Sequence, residues 1–135
     1  MIDRVFFDTN ILVYSIARRV ERTEVADALL AQGGYVSVQV LNELTAIARR
    51  KLGMSWQEVS LALAANRTLC HSPLPIRVTT HESALGIGAR YEYTIFDSLI
   101  LASALEARCT TLYSEDHQSG QTIDDQLTIR NPFWT

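Results

Sequence analysis

Four carboxylates occupy positions that ordinary surface acids rarely take. Asp8 closes the short β-type run Val5-Phe6-Phe7 and begins Asp8-Thr9-Asn10. Glu43 has Val40, Ala46 and Ile47 as its i−3, i+3 and i+4 neighbours, so on a helix it projects from a largely apolar face. Asp97 stands before Ile100, Leu101, Ala104 and Leu105, an unbroken apolar stripe at helical spacing. Asp116 follows Leu112-Tyr113 through Ser114-Glu115, with Glu115 as a competing acid and Asp116 favoured because it lies farther past the strand. Each has a plain alternative: a helix cap for Asp8, an ion pair with Arg50 for Glu43, the helix dipole for Asp97, a loop acid for Asp116. Together they form a set that cannot all stay ionised at close range without a cation. All-oxygen ligation suits Mg²⁺ or Mn²⁺ and does not suit zinc. Such ions activate water, orient a phosphate and stabilise a leaving oxygen, so the expected chemistry is phosphodiester hydrolysis.

The elements that must position these acids alternate in type. Strands are expected at Val5–Phe7, Tyr35–Val38, Ile76–Val78 and Thr110–Tyr113, with an edge strand at Leu127–Ile129. Helices are expected at Ile11–Ala17, Arg22–Gln32, Gln39–Leu52, from Ser55 to about Leu69, from Thr79 to about Arg90, and Ile95–Arg108. Ser55-Trp56-Gln57-Glu58 and Thr79-Thr80-His81-Glu82 both have capping-box form. Strands alternating with helices argue for an α/β fold with a mostly parallel sheet, whose strand C-termini share one edge. That edge is where the acids are expected to meet.

Composition narrows the partners. At 135 residues, 47% apolar and 20% charged, the chain suits one domain spanning residues 1–135 and excludes a wholly disordered one. No run approaches the ~20 apolar residues of a membrane helix, and Met1-Ile2-Asp3-Arg4 does not read as a secretory leader, so a cytoplasmic protein without membrane contact is expected. Cys70 and Cys109 form no C-x-x-C pair and read as free thiols. The net charge of −3 argues against a nucleic-acid binder, but setting aside the four acids leaves 12 bases against 11 acids. Eleven of those bases are Arg, which suits phosphate, and Lys51 is the single Lys.

Other chemistries lack their residues. A dehalogenase-like phosphatase needs an acid where Asn10 stands, and a phosphoacceptor receiver needs a Lys at a late strand end, whereas Lys51 closes a helix. His71, His81 and His117 form no metal-ligand spacing, and His117 reads as a loop histidine beside Asp116. No glycine-rich nucleotide loop is present.

The chain resembles the PIN-domain ribonucleases, especially the VapC-like toxins of bacterial toxin–antitoxin pairs. The matching stretches are VFFDTNILVYS, SVQVLNELTAIARRK, YEYTIFDSLILASALEARCTTLYSED and the terminal Asn131-Pro132-Phe133, in the family's order and over essentially the whole chain. The resemblance implies an α/β/α sandwich and metal-dependent endonucleolytic cleavage of RNA. It places Asp8, Glu43, Asp97 and Asp116 as metal-binding, catalytic acids, with Thr9, Asn10 and Ser114 as polar pocket lining. It also implies a homodimer and a cognate antitoxin covering the site, with apolar surface around Trp56 as one place for that partner. The alternatives are a non-catalytic module of the same fold that binds RNA or protein, and a nuclease of RNA processing with no toxin role.

Overall fold

The computed structural model describes residues 3–18 and 20–133. Met1 and Ile2, which head the segment weighed as a leader, lie outside the described residues. Strand β1 (Val5–Phe7) leads into helices α1 (Thr9–Ala17), α2 (Val20–Ala31), α3 (Val38–Arg50), α4 (Trp56–Arg67), α5 (Val78–Tyr91) and α6 (Ile95–Glu106). Strands β2 (Thr111–Tyr113), β3 (Thr122–Ile123) and β4 (Leu127–Arg130) follow. The architecture is the expected α/β one.

The sheet order is β1-β2-β4-β3, with β1, β2 and β4 parallel and β3 antiparallel to β4. Val5 pairs with Thr111 and Phe7 with Tyr113, so the residues after each strand, Asp8 and Ser114, emerge side by side. The expected edge strand at Leu127–Ile129 is interior instead. Thr122–Ile123, too short to carry a periodic pattern, pairs outside it and takes the edge.

Two further strand expectations are not met. Around Tyr35–Val38 the chain makes isolated parallel bridges, Phe6 with Tyr35 and Ser37 with Leu74, because Ser37 already caps α3 by accepting from the Val40 N–H at 3.3 Å. Ile76–Val78 is not a strand, since Val78 opens α5. The second capping box also shifts. Arg77 is the N-cap residue, and Thr80 Oγ1 accepts from its backbone N–H at 3.2 Å, two residues before the expected start. The box at Ser55 forms as read, with Glu58 N–H and Ser55 N–H bonded reciprocally at 3.1 and 2.9 Å.

The core consists of Phe6, Phe7, Ile11, Leu12, Val40, Leu44, Ile87, Ile100, Leu101, Leu112 and Ile129 with their neighbours, all buried. Helices α5 and α6 pack as a hairpin at Gly88. A Cβ there would meet the Tyr93 carbonyl at 3.2 Å and Ser98 Oγ at 3.3 Å, so the small residue lets the start of α6 sit close. Helix α3 touches both α1 and α6. Asp8 caps α1, Asp97 lies in the first turn of α6 and Glu43 in the second turn of α3.

Candidate active site

Asp8 divides its two oxygens between structure and site. Its Oδ1 accepts from the Thr9 N–H at 2.7 Å, capping α1, so the helix begins two residues earlier than its apolar pattern suggests. Its Oδ2 accepts from Ser114 Oγ at 2.7 Å and lies 3.3 Å from His117 Nε2. The carboxylate is 4% exposed, so these neighbours replace water. Its backbone N–H donates to the Tyr113 carbonyl, which continues the β1–β2 ladder.

Glu43 is half-buried on α3, facing α1. Thr9 Oγ1 donates to its Oε1 at 3.1 Å and Gln39 Nε2 to its Oε2 at 2.9 Å. The ion pair with Arg50 is therefore replaced by two neutral donors. Burial pushes the Glu43 carboxyl above its usual range; the Gln39 and Thr9 bonds oppose that shift, and the charges of Asp8 and Asp97 add to it. Those two charges place Glu43 in the same electrostatic neighbourhood as the strand-end acid and the α6 acid.

Asp97 lies in the first turn of α6, whose N-cap Thr94 accepts from the Asp97 N–H through Oγ1 at 3.2 Å. The stripe behind it, Ile100, Leu101 and Ala104, is buried as expected, while the carboxylate itself is 38% exposed at the sheet edge. Asp97 is the acid in the first turn of α6, where the helix dipole favours it.

Asp116 and Glu115 part company. Asn10 Nδ2 donates to Asp116 Oδ2 at 3.1 Å, and the Asp116 N–H donates to Ser114 Oγ at 3.1 Å, which joins Asp116 to the Asp8 network. Glu115 accepts from Tyr14 Oη and pairs with Arg22. Thr9, Asn10 and Ser114 are buried and bonded to one or another of the acids.

His117 is the residue the sequence reading missed. It turns inward, 3% exposed, with its ring edge-on to Tyr93 at 5.1 Å between centroids. Its Nε2 is also 3.9 Å from Asp97 Oδ1. Burial pushes its pKa down, but the close contact with the Asp8 carboxylate, and then the charges of Asp8, Asp97 and Asp116, push it further up, so the net direction is upward. Gln39 and Tyr93 were likewise missed. The signal for His117 was its place beside Asp116; for the others, none was visible along the chain.

A groove of about 320 Å³ runs between α1 and α3 beside these acids. Val13, Ala17, Ile47 and Leu52 wall it, Glu43 and Asp116 line it, and Lys51 also lines it. Asp8 and Asp97 are not part of its walls. Trp56, expected beside the site, does not line the groove; it is 65% exposed with the Arg49 guanidinium over its ring at 4.5 Å.

The donor set fits a hard divalent cation by its chemistry: four carboxylates in one electrostatic neighbourhood, one of them nearly dry, with a buried imidazole nitrogen that lacks a hydrogen bond aimed among them. Among the described residues no three His, Cys, Asp or Glu side chains stand close enough to grip one ion as they lie. Asp97, whose side chain is partly exposed, has room to turn. Both cysteines are free, and burial pushes Cys70 up to about 11 and Cys109 up to about 12, which makes them poor nucleophiles. No helix among the described residues is long and apolar enough to cross a membrane.

Comparison with known proteins bears on the fold and the family. The fold is similar to a toxin–antitoxin complex from Klebsiella pneumoniae, with a TM-score of 0.71 and 20% identity over 95% of this chain and 97% of that one. It is similar to VapC20 of Mycobacterium tuberculosis, a sarcin–ricin loop cleaving toxin, with a TM-score of 0.68 and 21% identity over 83% and 89%. It is also similar to VapBC2 of Rickettsia felis bound to a promoter DNA fragment, with a TM-score of 0.68 and 18% identity over 94% and 98%. No curated protein matches the chain by sequence. The family description "PIN domain" matches residues 5–122, which include every acid discussed above, and the chain therefore belongs to the PIN domain family.

Proposed function

We propose that this protein is a metal-dependent endoribonuclease and the toxin of a toxin–antitoxin pair. The observation that carries the reading is the shared neighbourhood of Asp8, Glu43, Asp97 and Asp116 on a PIN fold, where four separate segments each spend a carboxylate beside another acid. Repelling carboxylates are costly to a binder of phosphate and useful to a cation-dependent hydrolase. A bound Mg²⁺ or Mn²⁺ would supply activation of the attacking water and neutralisation of charge on the phosphate.

The chain's own groups then do the positioning. Ser114 and the α1 N-terminus fix the Asp8 carboxylate, Thr9 and Gln39 orient Glu43, and Asn10 orients Asp116. Lys51, eight residues along α3 from Glu43 and therefore about 12 Å away, suits a neighbouring phosphate of the same strand. Water adds to phosphorus, one P–O bond breaks, and the leaving oxygen takes up a proton.

Toxin–antitoxin relatives support a protein partner over this edge, and Arg is the natural anchor among carboxylates. The test is cleavage of single-stranded RNA by purified protein. Activity with Mg²⁺ or Mn²⁺ that stops in EDTA and is absent in Asp8→Asn is expected, with growth arrest on expression alone and rescue by the partner. Equal cleavage in chelator would overturn the metal reading. Cleavage without any growth arrest would favour an RNA-processing nuclease.

A further inference from the structure

His117 is not explained by an all-carboxylate site. Its side chain is 3% exposed, and its Nε2 has no hydrogen-bond partner among the described residues. A buried polar atom beside carboxylates but without a well-formed hydrogen bond is expensive, so its placement calls for a reason. The nitrogen is held toward the acids by the Tyr93 ring on one side and by the chain itself, since His117 follows Asp116 directly. It stands 3.3 Å from Asp8 Oδ2 and 3.9 Å from Asp97 Oδ1, yet the nearer contact lacks hydrogen-bond geometry.

Those separations suit a different relationship. Neighbouring ligand atoms on one ion, each at about 2.1 Å from it, stand roughly 3 Å apart. Asp8 Oδ2 and His117 Nε2 are close to that spacing already. Asp97 is the outlier, and at 38% exposure it is the acid with room to move inward. The two remaining histidines are placed elsewhere: His71 against the Tyr35 ring at 4.3 Å, and His81 exposed near the start of α5.

Resting on the reading of the acids as a metal site, we propose that His117 Nε2 is a nitrogen ligand of that site, which makes it a mixed nitrogen–oxygen centre that favours Mn²⁺ over Mg²⁺. Mg²⁺ holds to oxygen donors and water, whereas an imidazole donor raises affinity for transition-metal ions.

The experiment adds Mn²⁺ to metal-free protein and follows free and bound ion by EPR, with electron spin-echo modulation reporting any nitrogen bonded to the bound Mn²⁺. Wild type is expected to bind Mn²⁺ with ¹⁴N coupling, replaced by the ¹⁵N pattern when the protein is made with [¹⁵N]histidine. His117→Leu is expected to lose the coupling and to bind Mn²⁺ about tenfold more weakly, with a smaller change for competing Mg²⁺. The isotope arm needs no variant, so it decides the matter even if His117→Leu folds poorly. Bound Mn²⁺ without nitrogen coupling, lost in Asp8→Asn, overturns the His117 ligand and leaves the acid site standing. Coupling that persists in His117→Leu also overturns it. Wild type that binds no Mn²⁺ overturns the ligand and the metal site together.

Discussion

Ser114 Oγ donates to Asp8 Oδ2 at 2.7 Å, tying together the ends of two adjacent parallel strands that lie 106 residues apart in the chain. Both groups are buried, so this bond stands where water would otherwise solvate the carboxylate. It also leaves Ser114 Oγ free to accept from the Asp116 N–H, which links a third segment to the same point. The site is therefore part of the fold's closure.

Removing that hydroxyl should be felt in stability. Ser114→Ala leaves a buried charged acceptor short of one donor, a loss of about 1–3 kcal/mol. Urea unfolding of the two proteins measures it directly. An unchanged midpoint would mean that Asp8 finds another donor and that Ser114 is only a space-filler.

Asp97 should behave in the opposite way. It is partly exposed; repulsion with Glu43 raises the energy of the metal-free fold, and its 3.9 Å contact with His117 Nε2 offsets part of that. Asp97→Asn keeps the Thr94 cap, which binds backbone, so the metal-free melting temperature should stay equal or rise while cleavage is abolished. Thermal melts paired with an RNA-cleavage assay test this. A marked fall in melting temperature would make Asp97 a structural acid.

The upward shift at Glu43 sets a pH dependence for the metal-free protein. A carboxyl whose folded pKa exceeds its unfolded value of 4.5 favours the fold most while protonated. Its contribution is complete below pH 4.5 and is lost as pH rises through the raised folded value. Glu43→Gln, which is neutral throughout, should flatten this part of the curve. Melting temperatures of both proteins from pH 4 to 7, taken in chelator, would show it; parallel curves would refute the assignment.

Glu115 and Asp116 offer a paired comparison. Glu115 is engaged with Tyr14 and Arg22, so Glu115→Gln weakens a partly exposed pair worth about 1 kcal/mol or less and should leave most cleavage intact. Asp116→Asn should lower cleavage about 10–100-fold. Steady-state rates of the two variants decide the fourth acid, and the reverse ranking would hand the role to Glu115.

Much of this molecule is legible in one dimension because its signals are local. The apolar stripe behind Asp97, the capping box at Ser55 and the run Val5–Phe7 depend on neighbours within a turn or a strand, and each forms where its pattern lies. Glu43 stood out for the same reason, as an acid on an apolar face. Non-local competition decided the rest. Tyr35–Val38 has strand-like residues, but the Ser37 cap claims Val38 for α3, and Thr122–Ile123 becomes an edge strand only because β4 is there to pair with it. The division of the two acids at 115 and 116 depended on Tyr14, Arg22 and Asn10, about a hundred residues away. The inward turn of His117 depended on Tyr93 and on carboxylates from two other elements. Periodicity reports which face of an element is buried; which side chains meet across a sheet edge is set by crossovers and register, and those exist only once the chain has folded.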